Sequence, residues 1–270
     1  MTDVSGQAPP LPQTQHITSR DNAFLKDLRR LSHETTAYRK QGRFWTEGDH
    51  LCRAAVARGF KPAVGVFSES KWPEVPVEYT NLAIKNIVIS EALFADISSL
   101  ESPASLGFVF DLPASPVLDA KATTVILDRV QDAGNVGAIL RSASAFGFKQ
   151  IIALSGTAAL WSPKVLRAGM GAHWGLRLIE GASLAQVAEL SVPLIVTSSH
   201  RGSFLHEALQ SKGLPMPCAW ALGHEGQGIS AELDAMANLF VRIAQPGGEE
   251  SLNVATAAAI CLHASATAAI

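Results

Sequence analysis

Cysteine is scarce in this chain, and its pattern excludes whole classes of protein. Cys52, Cys218 and Cys261 are odd in number and far apart. That rules out a disulfide framework and a cysteine-built metal cluster, and describes buried thiols in a reducing compartment. Charge is scarce as well: 17% of residues are charged and the formal net charge is −2, too little to draw a polyanion to the molecule as a whole. The C-terminal apolar run is alanine-rich and interrupted by Asn253, Thr256, His263, Ser265 and Thr267, which fits a buried helix and not a membrane span. Residues 1–15 have neither the basic nor the apolar region of a signal peptide. Rich in Pro, Gln and small residues, they are expected to form a disordered tail on a cytoplasmic protein.

What the chain does have is core material. With 47% hydrophobic residues over 270 positions, it can build one large or two modest domains. The charge it carries is uneven. Residues 16–61 hold ten Lys/Arg against five acids, and residues 62–122 hold three against eight, a mild pointer to nucleic acid at the N-terminal end. Residues 22–31 place Phe24, Leu25, Leu28 and Leu31 at helical spacing with basic residues opposite. A second helix is predicted over 51–58 and strands over 63–67, 86–89 and 107–110. Together they make a small α/β domain over 16–110, and residues 111–122, with Pro113 and Pro116, have the composition of a linker.

From Thr123 the pattern becomes a regular alternation. Apolar strands are predicted at 124–127, 150–154, 193–197, 219–222 and 239–243, with helices at 138–146, 164–170, 184–190 and 230–236. This implies a parallel sheet covered on both faces, with ligands at the carboxyl ends of its strands. Three glycine-containing loops leave strands at that edge. The first, Asp128-Arg-Val-Gln-Asp-Ala-Gly-Asn-Val-Gly, uses Gly134 and Gly137 for a tight strand-to-helix turn around Asn135, with Arg141 following on the helix. It has neither a dinucleotide fingerprint nor a P-loop ending. The second, Leu222-Gly-His-Glu-Gly-Gln-Gly, lets a backbone pass close to a ligand while Glu225 offers a carboxylate. The third, Ile243-Ala-Gln-Pro-Gly-Gly-Glu-Glu-Ser-Leu-Asn-Val, leads from a strand to Ser251, a good helix N-cap, and into a helix without Asp, Glu, Lys or Arg. A helix uncharged on every face is normally buried, inside the molecule or against a partner.

The order Asn-x-Gly-x-x-x-Arg, Leu-Gly-x-Glu-Gly-x-Gly, Gly-x-x-x-Ser-Leu-Asn-Val resembles the SpoU (TrmH-type) family of RNA 2′-O-ribose methyltransferases of the SPOUT class. The resemblance covers residues 123–270. Residues 16–110, through Ile17-Thr-Ser-Arg-Asp-Asn, Leu25-Lys, Tyr38-Arg and Phe44-Trp-Thr-Glu-Gly, look like the L30e-like substrate-binding domain that these enzymes often carry. The resemblance implies an α/β catalytic domain with a deep trefoil knot, a homodimer, and S-adenosylmethionine bound in the knot. By motif position, Leu222, Gly223, Gly226, Ile243 and Leu252 would bind the cofactor. Asn135, Arg141, Glu225, Ser251 and Asn253 would be the catalytic group. In the N-terminal domain Arg29, Arg30, Arg39, Lys40 and Arg43 are the expected RNA contacts, and no metal is implied.

A guanidinium rarely gives up its proton, so Arg141 is read as a clamp on phosphate and developing alkoxide, with Glu225 or a water accepting the proton. Ribosomal RNA is the expected substrate, because tRNA-specific relatives often lack such an N-terminal domain. A tRNA 2′-O-methyltransferase and a non-catalytic RNA-binding assembly factor are the alternatives. The chain departs from the family where Ala244-Gln245 replaces the usual Pro-Met, where His224 replaces a small polar residue, and where Ala255 replaces Ser. Phe44, Trp45, His173 and Trp174 are expected in cores.

Overall fold

The computed structural model describes residues 12–198, 200–211, 213–247 and 252–268. The chain separates into two units, Met1–Leu112 and Pro113–Ile270.

In the first unit the strands β1 (Gln13–Ile17), β2 (Arg43–Glu47), β3 (Val64–Ser68), β4 (Lys85–Ile89) and β5 (Leu106–Asp111) form one sheet in the order β1-β4-β3-β5-β2. The first three in that order run parallel, and β5 lies antiparallel to both its neighbours. Helices α1 (Ala23–His33), α2 (Ala37–Gln41), α3 (Asp49–Val56), α4 (Val77–Thr80) and α5 (Glu91–Ile97) connect them. α1 starts where the Asn22 side chain accepts the Phe24 N–H at 2.9 Å, and it turns Leu25, Leu28 and Leu31 inward. Phe108 packs edge-on against Phe67, Tyr79 and Phe110, and Phe44 and Trp45 of β2 are buried as well. The expected tail needs correction at Gln13–Gln15, which belong to β1; residues 1–11 lie outside those described. Gln-Thr-Gln-His-Ile has no apolar alternation, and it becomes a strand only by backbone pairing along β4.

In the second unit β6 (Thr124–Asp128), β7 (Gln150–Leu154), β8 (Arg177–Ala182), β9 (Leu194–Thr197), β10 (Ser203–Phe204), β11 (Ala219–Gly223) and β12 (Leu239–Arg242) form a seven-stranded sheet in the order β10-β12-β9-β11-β6-β7-β8. Every neighbouring pair is parallel. The helices are α6 (Ala133–Ala145), α7 (Pro163–Gly169), α8 (Leu184–Val187), α9 (Leu205–Gln210), α10 (Ala231–Ala235) and α11 (Val254–Ala268). From β6 the chain first builds β7 and β8 on one side, then the remaining strands on the other. That reversal puts a crevice at the carboxyl ends beside β6 and β11. No helix among the described residues is long and apolar enough to cross a membrane.

The starts of α6 and α11 differ from the sequence reading. α6 begins at Ala133, before the expected residue 138, because the Asp132 carboxylate accepts the Asn135 N–H at 2.7 Å and caps the helix there. Gly134 and Gly137 therefore lie inside the helix, and neither has a positive φ. Gly137 is needed for close packing instead: a Cβ there would fall 2.3 Å from Ala168 Cβ and 2.8 Å from the Gly169 nitrogen on α7. α11 is capped by Asn253, whose Oδ1 accepts the N–H groups of Ala255 and Thr256 at 2.9 and 3.1 Å. Ser251, the expected cap, lies outside the described residues.

α11 buries Ala258, Cys261, Leu262, Ala264 and Ser265, and Trp220, fully buried on β11, donates its indole N–H to Ser265 Oγ at 2.8 Å. Its other face, with Thr256, Ile260, His263 and Thr267, is open. All three cysteines are free and buried. Burial pushes the thiols of Cys218 and Cys261 up to about 12, which leaves them unreactive.

His173 and Trp174 are core residues. The His173 Nε2 sits 2.8 Å from the Leu160 carbonyl oxygen, while Nδ1 is buried without a partner. Burial lowers the ring's pKa from 6.5 to about 4. The unfolded chain therefore takes up this proton first, so stability is undiminished above pH 6.5 and falls until about pH 4. The expected loss is about 3 kcal/mol over that window. Urea unfolding at stepped pH should show it in the wild type and not in His173→Gln; parallel curves would refute it.

Candidate active site

A cavity of about 340 Å³ opens at the carboxyl ends of β9, β11 and β12. Thr197 and Ser198 come from the end of β9, Leu222 and Gly223 from β11, and Ile243 and Gln245 from the segment after β12. The start of α11 adds Leu252, Asn253, Val254 and Ala257. His224, Glu225, Gly228 and Ile229 of the glycine loop complete it. Of the five residues expected to bind a cofactor, Leu222, Gly223, Ile243 and Leu252 line the cavity. Gly226 does not: it is exposed at the loop tip, with its N–H donated to His224 Nδ1 at 3.0 Å.

The loop is closed by its own backbone. His224 and Gly228 exchange N–H···O bonds of 3.0 and 2.8 Å, and His224 Nδ1 also accepts the Gln227 N–H at 3.2 Å. A neutral ring with Nδ1 as acceptor carries its hydrogen on Nε2. His224 is thus the loop's internal cap.

Beside the cavity three side chains form one hydrogen-bonded line. Asn135 Nδ2 donates to Glu225 Oε1 at 3.1 Å, and Asn135 Oδ1 accepts from Asn253 Nδ2 at 2.9 Å. Glu225 also accepts the backbone N–H groups of Gln131 and Asp132 at 3.3 and 3.2 Å. Burial alone would raise the Glu225 carboxyl, but the bonds from Asn135 and from backbone N–H groups outweigh it and hold its pKa below the ordinary carboxylate value. A carboxylate held in this way is a poor base and a good anchor. The line also joins the N-terminal turns of α6 and α11, whose positive dipole ends face the same place.

Arg141 is not part of this line. It is exposed on α6 and has no hydrogen bond or ion pair with any described residue. Six positions beyond Asn135, it lies about 120° around the helix from it, so within one chain the two present different faces.

Sequence reasoning missed the support beneath the loop. Asp128, buried at the end of β6, accepts the Ser230 N–H at 2.5 Å and the Arg129 Nε–H at 3.1 Å. Arg129, at φ 59°, donates to Gln227 Oε1 at 3.0 Å and to the Gly228 carbonyl at 3.4 Å. Its own N–H goes to Thr157 Oγ at 3.1 Å. The adjacent Asp-Arg at a strand end was the available signal.

In the first unit, Arg29 is committed: its guanidinium pairs with Asp96 of α5, which Arg20 also contacts at 2.6 Å. Arg30 pairs with Asp27 at 3.4 Å and Arg43 with Asp111 at 2.9 Å, both in the open. Arg39 donates to its neighbour Tyr38 at 3.0 Å, and Lys40 is exposed beside it on α2. Arg30 lies on α1, Arg39 and Lys40 on α2 and Arg43 on β2, elements that contact one another.

Residues 122–263 match the model of the SpoU rRNA Methylase family. The chain is 29% identical over 253 residues to the 23S rRNA (guanosine(2553)-2′-O)-methyltransferase RlmP of Bacillus subtilis, covering 92% of this chain and 98% of that protein. It is 31% identical over 257 residues to an uncharacterized tRNA/rRNA methyltransferase of Synechocystis, covering 92% of each. A solved structure of an AdoMet-bound rRNA methyltransferase from Sinorhizobium meliloti superposes with a TM-score of 0.81 at 26% identity, over 94% of this chain and 97% of that one. The seven-stranded parallel sheet agrees with those matches, and the chain belongs to the SpoU rRNA methylase family.

Proposed function

We propose that the protein transfers a methyl group from S-adenosylmethionine to a ribose 2′-hydroxyl in structured ribosomal RNA. The observation that carries this reading is the line Glu225–Asn135–Asn253 beside a cavity that fits the cofactor. The fit rests on the walls. Leu222, Ile229, Ile243, Leu252, Val254 and Ala257 offer apolar surface, Gly223 has no room for a side chain, and the Gln245 amide oxygen is buried and unpaired. The cofactor supplies an electrophilic methyl group on a cationic sulfur, which the Glu225 carboxylate would favour nearby.

The protein's own part is to hold the hydroxyl and ease its deprotonation. Asn135, fixed at both ends of its amide, orients the 2′-oxygen, and alignment of this kind supplies much of an acceleration. Glu225 anchors Asn135 and the first loop, so the proton passes to water. Arg141, exposed and without a partner among the described residues, holds a phosphate of the RNA and offsets charge developing on the oxygen. Arg30, Arg39, Lys40 and Arg43 of the first unit, read as an L30e-like domain, bind the RNA backbone, while Arg29 holds α1 to α5. The open, uncharged face of α11, with Phe146, Leu205, Leu209 and Ile260 around an apolar groove of about 640 Å³, supports a homodimer. The two loops and the start of α11 lining one cavity support the family's trefoil knot. The protein acts in the cytoplasm.

Purified protein incubated with methyl-labelled cofactor and deproteinised RNA should label ribosomal RNA, with the label recovered as a 2′-O-methyl nucleoside. Label in tRNA alone would replace the substrate assignment, and cofactor binding without transfer to any RNA would leave a binding factor.

A further inference from the structure

The Gln245 side chain, which stands where the family usually has methionine, has a function of its own. Its Oε1 is buried and makes no hydrogen bond within the described structure, and Gln245 is one of the residues that line the cavity. Several other side-chain acceptors of the lining already have donors. Asn253 Oδ1 caps α11, Glu225 holds Asn135 and two backbone N–H groups, and His224 Nδ1 closes the glycine loop. Ser198 Oγ accepts the N–H groups of His200 and Arg201 at 3.1 and 3.0 Å. A buried amide oxygen without a donor is costly and asks for one.

Position says what kind of donor. Gln245 follows β12, at the β9–β12 side of the cavity, whereas Glu225 and Asn135 hang from β11 and the start of α6. Ile243, Leu252 and Val254 add apolar surface to the same cavity. An elongated ligand whose reacting atom lies beside Asn135 therefore has its far part against Gln245. We infer that Gln245 recognises the adenosylated cofactor by accepting a hydrogen bond from one of its amino groups, an inference that rests on the cofactor assignment above. The amine is the adenine exocyclic NH₂ or the ammonium of the amino-acid part. Both present the same N–H chemistry to the amide oxygen.

Calorimetric titration of the full-length protein separates these sources. The ligands are S-adenosylhomocysteine, S-inosylhomocysteine (no exocyclic NH₂) and 5′-methylthioadenosine (no ammonium). Gln245→Met should weaken S-adenosylhomocysteine by about tenfold or more, while Gln245→Glu, which keeps an acceptor of the same shape, should bind within about threefold of wild type. If the adenine amine is the partner, S-inosylhomocysteine binds wild type and Gln245→Met alike, and 5′-methylthioadenosine loses affinity. If the ammonium is the partner, the two analogues exchange behaviour. Undiminished binding of S-adenosylhomocysteine by Gln245→Met, or equal losses for both analogues, overturns the inference alone. No binding of S-adenosylhomocysteine by the unaltered protein overturns the cofactor assignment and this inference with it.

Discussion

Replacing Asn135 with alanine should lower the methyl-transfer turnover number by about two to three orders of magnitude, with cofactor affinity changed by no more than about threefold. The asymmetry follows from where the side chain sits. Asn135 is outside the cavity wall but joins the carboxylate of Glu225 to the amide of Asn253 through bonds of 3.1 and 2.9 Å. Alanine leaves the cofactor's walls in place and removes the group that orients the acceptor hydroxyl. It also takes from Glu225 the strongest of the bonds that lower its pKa, so the carboxyl should titrate closer to its ordinary value. Loss of turnover without loss of binding marks an interaction made in the transition state. Single-turnover rates beside calorimetric affinities for S-adenosylhomocysteine provide the check. A variant that keeps more than a third of the wild-type rate would remove Asn135 from the chemistry.

The second large effect is expected at Gly223, and it runs the other way. Gly223→Ala should weaken cofactor binding by about a hundredfold in a protein that still folds. An added Cβ would meet the Gly228 carbonyl carbon at 2.3 Å, the Ile229 nitrogen at 2.4 Å and the Gly228 oxygen at 2.5 Å. All three are backbone atoms, so no rotamer change relieves the overlap. The loop between His224 and Gly228, closed by two backbone bonds, must open or shift as a body. Either movement displaces Glu225 and Ile229 from the cavity wall and strains the bonds from Arg129 to Gln227 and Gly228. The sheet beneath is held by buried β6, β11 and β9 and does not depend on the loop. Circular dichroism should therefore report a native fold with a modestly lower melting temperature, while calorimetry reports the lost affinity. Wild-type affinity in Gly223→Ala would show that the loop yields freely.

The parts of this fold that could be read from residues were those with local causes. The strands read at 124–127, 150–154, 193–197 and 219–222 are mostly apolar runs, because a parallel sheet covered on both faces demands them. α7 is announced by Pro163, a first-turn proline. β1 and β8 escaped for the opposite reason. Gln-Thr-Gln-His-Ile carries polar residues at an edge, and Arg177 to Ala182 mixes charge and glycine with three apolar positions, so pairing makes them strands where composition does not. Gly137 was read as a turn residue and is a packing residue, a distinction that depends on α7 lying against it.

The site divides along the same line. From sequence alone came three glycine loops at one sheet edge and the polar residues within them, since glycine and short polar side chains mark turns wherever they occur. Which of those residues meet was decided by tertiary structure. Asn135 reaches a carboxylate 90 positions away and an amide 118 positions away, and Arg129 reaches Gln227 across 98 positions. Gly226 left the cavity, Arg141 turned to another face, and Gln245 entered the wall with its oxygen unpaired. Hydrogen-bond partners so far apart along the chain leave no periodicity behind, because their geometry exists only after the sheet has brought the strand ends together.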